Sequence, residues 1–297
     1  MKRVVSGSAP AKLNLHLAVL GKRADGFHEL DTVMVGIGLA DRLELSVAPG
    51  AGVSCSVGGP AGSADVPTDE RNLAVGALLA GLARAEELGI AVPNGLELRL
   101  DKHVPSQAGL GGGSSDAATA LHLLEELLEC DLGASWRSEW LASVGSDTVF
   151  FDAARPSLHG RCRGRGERVE RLAGLPKGWC AVLVTPDLRA ATGPVFGALG
   201  APRSAALSDP ADFAALEPAA ARAALSNDLE QAALAAIPGL ESWSAGLEQL
   251  DGRRFCLSGS GSSFFALCAD AAEAEPLAAK ARSAFPQARL IWHGPFA

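Results

Sequence analysis

The chain has 297 residues, 48% hydrophobic and 20% charged, with a formal net charge of −8 and a sequence pI near 5.3. That length suits two domains at roughly 100–200 residues each, or one large one, and the composition supports a sizeable core. The acidic balance argues against a nucleic-acid polymer as partner, because such proteins present a basic face. It leaves room for a local basic pocket that holds one small anion.

The N-terminus, MKRVVSGSAPAKLNL, lacks the apolar run of a secretion signal. No stretch approaches the roughly 18 uncharged apolar residues of a membrane span. Cys55, Cys130, Cys162, Cys180, Cys256 and Cys268 form no CxxC pair and no zinc spacing. The expectation is a cytoplasmic protein with free thiols, no membrane partner and no metal site built from cysteines.

In chain order, Lys12 stands inside the apolar, strand-like run APAKLNL. An edge-strand lysine that snorkels to water is the simplest reading. Residues 21–30, GKRADGFHEL, crowd charge, Phe27 and His28 into a turn. A turn needs glycine and aspartate, but not an aromatic and an imidazole, which together suit a planar base. Leu43–Val47 and Leu96–Leu100 alternate as half-buried strands do. Between them, Asn72 to Leu88 reads as a helix with Gly89 as its stop.

The stretch PSQAGLGGGSSDAAT, Pro105 to Thr119, runs into a helix. Ala117, Ala120, Leu121, Leu124 and Leu128 form its apolar face, with Asp116, Glu125, Glu126 and Glu129 on the other side. The first amides of a helix lack intrahelical partners and carry the positive end of its dipole. Glycines let that backbone approach phosphate oxygens, and Ser114, Ser115 and Asp116 suit the first turn. A plain helix cap is the alternative, but three consecutive glycines are more than a cap requires. No lysine follows, so this is not a P-loop, and the protein-kinase signatures are missing.

Asp147, in GSDTVFF, is either a turn cap or a carboxylate that accepts a hydroxyl proton. A domain change is expected near Ala153, giving domains 1–153 and 154–297. The basic run HGRCRGRGERVERL that follows serves either as a solvated hairpin or to hold an anion. Trp179–Val184 reads as a buried strand, and Gly197–Leu216 as a loop followed by a helix. Residues 211–236 read as helix broken near Pro218 and Ser226. Short strands at Phe255–Leu257 and Ser263–Leu267 flank SGSGS, Ser258 to Ser262, which is either a tight hairpin or a second nest of N–H donors. A helix and a last strand, Ala288–Trp292, close the chain. Strands and helices interleave without regular βαβ spacing, so the class is α+β.

Three motifs in order, PAKLNL, GLGGGSSDAA and LSGSGSSFF, resemble the GHMP small-molecule kinases over nearly the whole chain. The run Pro10 to Leu30, with NLAV at Asn72 and SNDL at Ser226, is similar to the branch whose acceptor is a cytidine diphosphate-linked alcohol. The resemblance implies a two-domain α+β fold with the site between the domains, and ATP-dependent phosphorylation of that small molecule in isoprenoid-precursor biosynthesis, with Mg²⁺. It implies a monomer or weak homodimer. By motif position, Lys12 and Asp147 form the catalytic pair. Pro105, Gly109, Leu110, Gly111, Gly112, Gly113, Ser114 and Ser115 hold the ATP phosphates, with Asn72, Leu73 and Lys102 near the adenosine. Asn14, Phe27, His28, Thr192, Phe196 and Gly259 meet the substrate. In that reading cytosine lies between Phe27 and Phe196 and is bonded by His28.

This chain departs from the family pattern GADVPFF at Thr148 and Val149, so the proline that would fix φ beside the aspartate is absent. Phe27 replaces a frequent tyrosine. Other acceptors such as homoserine or mevalonate, decarboxylation of a diphosphomevalonate, and a non-catalytic relative are the competing readings. The first lacks a base for Phe27 and His28 to hold, and the last does not need Lys12 and Asp147.

Overall fold

The computed structural model describes residues 3–62, 65–173, 175, 177–200 and 212–297. They form two compact units, each drawn from separate stretches of chain. The first takes residues up to Ala11, Ala40–Ser106 and Gly111–Ala153; the second takes Lys12–Leu39, Gln107–Leu110 and Ala154–Ala297. The chain therefore changes unit within two long strands, β1 (Val4–Lys22) and β2 (His28–Val47).

In the first unit, Arg42–Val47 of β2 runs antiparallel to β4 (Gly95–Asp101), which lies parallel to β3 (Gly52–Gly58). The alternation read from the sequence sends Leu43, Leu45, Leu96, Leu98 and Leu100 into the core. Helix α1 (Leu73–Glu87) begins where expected, because the Asn72 side chain accepts the Ala74 N–H at 3.0 Å. It packs on α2 (Gly112–Leu128), whose Leu124 side chain fills the space at Gly81, where a Cβ would lie 2.5 Å from Leu124 Cδ2. Helices α3 (Ala134–Val144) and α4 (Thr148–Ala153) complete this unit.

The second unit holds the remainder of β1 and β2. There β2 pairs with β5 (His159–Gly164), which forms a hairpin with β6 (Arg168–Arg171). A second sheet has the order β11-β7-β10-β9, with β7 (Cys180–Thr185), β9 (Cys256–Leu257), β10 (Phe264–Cys268) and β11 (Leu290–Pro295). Between β7 and β9 come α5 (Thr192–Gly197), α6 (Asp212–Ala215), α7 (Pro218–Ala224), β8 (Ser226–Asn227), α8 (Glu230–Ala236) and α9 (Leu240–Glu248). Helix α10 (Ala271–Ala284) packs on β7, β10 and β11, over a core that includes Val182, Val184, Phe264 and Leu277.

The helix expected over 211–236 is thus interrupted at both anticipated places. At Ser226 the chain forms a two-residue strand parallel to β1 at His16 and Leu17. The loop part of the Gly197–Leu216 reading falls largely on 201–211, outside the described residues. None of the helices among the described residues is long and apolar enough to cross a membrane. All six cysteines are free, four of them buried.

Candidate active site

The first unit gathers most of the residues read as nucleotide contacts. Gly111 caps α2 in a left-handed conformation, φ 71°, which a glycine adopts without strain. Around the start of α2, a Cβ at Gly112 would lie 3.4 Å from Lys102 Nζ, and one at Gly113 would lie 3.7 Å from Leu73 Cδ1. Pro105 is buried in the loop that leads here. Gly113 is exposed in the first turn of α2, where helix amides lack intrahelical partners. Asn72 fixes the neighbouring loop as well, donating to the Pro67 carbonyl at 2.8 Å. That loop lines a cavity of about 520 Å³ with Val57, Gly58, Val66, Pro67, Thr68 and Arg71, a size suited to a small ligand.

Lys102 is buried between two carboxylates. Its ammonium donates to Asp41 and, at 2.7 Å, to Asp116. Asp41 also accepts the N–H groups of His103 and Val104, at 2.6 and 2.8 Å. Burial alone would lower the Lys102 pKa, but Asp116 and Asp41 outweigh it and raise it. Burial pushes Asp116 up to about 7, with Asp41 adding to the shift and Lys102 opposing it.

Asp116 thus corrects the sequence reading that set it on the polar side of α2. It is 2% exposed, because residues 115–121 are buried all round the helix. Leu127, not Leu128, completes the buried face. Ser115 Oγ and Asp116 Oδ1 are buried oxygens without a hydrogen-bond partner, an arrangement that calls for a ligand or water.

Asp147 lies half-buried in the turn between α3 and α4. The same turn approaches α2, with Ser114 Oγ 3.8 Å from the Cβ position of Gly145. The missing proline has a substitute. Thr148 donates its hydroxyl to the Leu141 carbonyl, with the Gly145 carbonyl also within 2.6 Å. A side-chain bond therefore pins a turn that proline would have stiffened.

In the second unit, Lys12 is 2% exposed, so the edge-strand reading fails. Its Nζ donates to Asn14 Oδ1 at 2.7 Å, Asn14 donates to Thr32 Oγ1 at 2.8 Å, and Thr32 donates to the His16 carbonyl at 2.6 Å. The Lys12 amide is bonded to the Leu110 carbonyl at 2.9 Å. Gly259 turns at φ 55° beside this group; a Cβ there would lie 3.1 Å from Lys12 Nζ and 3.2 Å from the Gly109 carbonyl. Ser258 Oγ donates to that same Gly109 carbonyl at 3.0 Å. Asn227 holds the turn from the other side, donating to the carbonyls of Leu257 and Gly259 at 2.8 and 2.7 Å. Lys12 and Asn14, Gly109 and Leu110, and the turn at Ser258 and Gly259 thus converge in the second unit.

The residues read as base contacts also belong to the second unit. The rings of His28 and Phe196 stack, with centroids 4.9 Å apart. Phe27 is half exposed, and the Arg165 guanidinium lies 4.8 Å above its ring. Phe196 thus stacks on His28, the sequence neighbour of the Phe27 with which the sequence reading paired it across a base. Thr192, at the start of α5, has its hydroxyl 3.2 Å from Ser260 Oγ.

Sequence reasoning missed Asp41, Thr32 and the role of Ser258. Asp41 carried a usable signal, a carboxylate at the end of the apolar run VGIGLAD.

The chain is similar to known proteins over most of its length. The model of the GHMP kinases N-terminal domain matches residues 72–160, and that of the GHMP kinases C-terminal domain matches 204–287. A 4-diphosphocytidyl-2-C-methyl-D-erythritol kinase of Desulfotalea psychrophila is 36% identical over 86% of this chain and 83% of its own. The protein of that name from Heliobacterium modesticaldum is 37% identical, over 91% and 88%. Among solved structures, a 4-(cytidine 5'-diphospho)-2C-methyl-D-erythritol kinase superposes with a TM-score of 0.77 at 33% identity, covering 99% of both chains. A homoserine kinase from Cytophaga hutchinsonii shares the fold, with a TM-score of 0.68 at 20% identity. The chain belongs to the 4-diphosphocytidyl-2-C-methyl-D-erythritol kinase family of the GHMP kinases.

Proposed function

We propose that the chain transfers the γ-phosphoryl group of ATP to the 2-hydroxyl of 4-diphosphocytidyl-2-C-methyl-D-erythritol, in the supply of isoprenoid precursors. One observation carries the reading. A buried ammonium, Lys12, is held by Asn14 beside the backbone of both glycine motifs.

Phosphoryl transfer needs positioning and charge neutralisation more than covalent chemistry. In this proposal Lys12 faces the acceptor hydroxyl and favours the developing alkoxide. Asp147 accepts or orients the hydroxyl proton. The amides from Gly111 to Ser115 hold the phosphates at the N-terminus of α2, and Asn72 and Leu73 flank the adenosine. Lys102 has given two of its three hydrogens to Asp41 and Asp116, so one is left for a nucleotide oxygen.

Mg²⁺, when bound, neutralises charge on the phosphates. The unpartnered oxygens of Ser115 and Asp116 fit such an ion, which prefers oxygen donors and keeps several waters, so that few protein ligands are needed. On the substrate side, Phe27 stacks the cytosine, His28 bonds its edge, and Asn14 and Gly259 border the acceptor. The free thiols fit a reduced, cytoplasmic setting.

Release of ADP by the purified protein tests the proposal. With Mg²⁺ and ATP, turnover is expected with the cytidine-linked substrate and not with homoserine or mevalonate. Turnover with either of those instead refutes the assigned acceptor.

A further inference from the structure

The base and phosphates of a nucleoside diphosphate are covalently joined, so a ring that stacks the base also fixes where the phosphates emerge. The β5–β6 hairpin of the second unit carries five arginines, Arg161, Arg163, Arg165, Arg168 and Arg171. Arg161 forms a buried bidentate pair with Asp31, at 2.7 and 2.6 Å. Arg163 meets Glu170 at 3.2 Å, and Arg168 meets Glu29. These three brace the hairpin and its neighbours.

Arg165, at the hairpin tip, also meets an aromatic ring. Its guanidinium lies over the half-exposed Phe27 ring, 4.8 Å from the centroid, and within the field of Asp25. Its backbone N–H is fixed by Glu167 Oε2 at 2.6 Å. The tip is therefore anchored while the side chain projects over the ring.

We propose that Arg165 is a specificity-determining residue that reads the diphosphate of the nucleotide-linked substrate. The inference rests on the reading that Phe27 stacks the base. An exposed cation–π contact is weak, whereas guanidinium–phosphate bonds are charge-assisted and often bidentate. When the base takes the ring, the guanidinium leaves that face and pairs with the phosphates attached to the base. Arg165 thereby favours a cytidine diphosphate over a bare nucleoside, and before binding it shields the stacking surface from water. The chain's net charge of −8 makes a local cation necessary for this task.

Calorimetric titration of the full chain with cytidine and with cytidine 5'-diphosphate tests this. Wild type is expected to bind the diphosphate more tightly. Arg165→Gln is expected to lose about tenfold in diphosphate affinity, with cytidine affinity unchanged or slightly improved, and Arg165→Lys to recover part of the loss. Equal weakening of both ligands in Arg165→Gln means that the side chain only props the ring, and overturns the proposal. No effect on either ligand overturns it too. Phe27→Ala separates the two layers. If it leaves cytidine affinity intact, the stacking reading fails and takes this proposal with it. If it abolishes cytidine binding while Arg165→Gln leaves the diphosphate-to-cytidine ratio unchanged, only the role of Arg165 falls.

Discussion

Lys12 and Asn14, two residues apart on β1, are bonded side chain to side chain at 2.7 Å, and both are buried. Strand residues alternate faces, so residues at this spacing share one. The bond sets the direction of the ammonium, and Thr32 in turn sets that of Asn14. Asn14→Ala leaves the ammonium without this acceptor. Its kcat is expected to fall by about 10- to 100-fold with little change in KM for ATP, a loss of positioning in the transition state. Steady-state kinetics check this; a rise in the KM for ATP alone contradicts it.

Asp147 is expected to act on the hydroxyl proton. Asp147→Asn should retain ATP binding while turnover falls by roughly 10²–10⁴, the range for loss of a general base. Thr148→Val keeps the carboxylate but removes the hydroxyl bond that pins its turn. A smaller drop in kcat is expected there, with a stability loss of about 1 kcal/mol. Unchanged turnover in Asp147→Asn removes the residue from the mechanism.

Gly259 is tested against a control glycine. Gly259→Ala strains a backbone at φ 55° and sets a methyl 3.2 Å from the Gly109 carbonyl and 3.1 Å from Lys12 Nζ. Gly239→Ala brings comparable strain, φ 86°, with its nearest atom 3.9 Å away. Both variants should melt at lower temperature, but only Gly259→Ala should also lose turnover, by about tenfold or more. Equal turnover in the two contradicts the crowding of Lys12.

Asp116 gives a pH dependence with a definite sign. Its folded pKa, about 7, lies above the ordinary 3.8. Across that window the folded state keeps a proton that the unfolded chain has released, so this group removes stability as pH rises. Asp116→Asn has no such proton. Its stability relative to wild type should therefore improve between pH 4.5 and 7.5, as read by urea unfolding at the two values. A pH-independent difference contradicts a raised Asp116.

Particular residues show what the sequence made legible. Asn72 before a periodic run declared its cap, and Pro218 and Ser226 declared the breaks between α6 and α8. Lys12 was visible as a charge in an apolar run, yet its burial was not, because Asn14 accepts its hydrogen and Gly259 makes room for it only in three dimensions. Asp116 was misjudged because helical periodicity assumes one buried face, and α2 is covered on all sides from Ser115 to Leu121. Strand β3, with small and half-buried residues, gave little pattern to detect. The passage of residues 12–39 and 107–110 into the second unit has no local signal, since it is set by long-range pairing.

The central claim concerns one bond, and phosphorus NMR of the reaction product tests it most directly. The account predicts a new phosphomonoester on the carbon that bears the methyl group, which has no hydrogen, so its signal shows no three-bond proton coupling. A doublet or triplet, from phosphate on a carbon that carries hydrogen, or no new phosphomonoester on the cytidine-linked substrate, would contradict it.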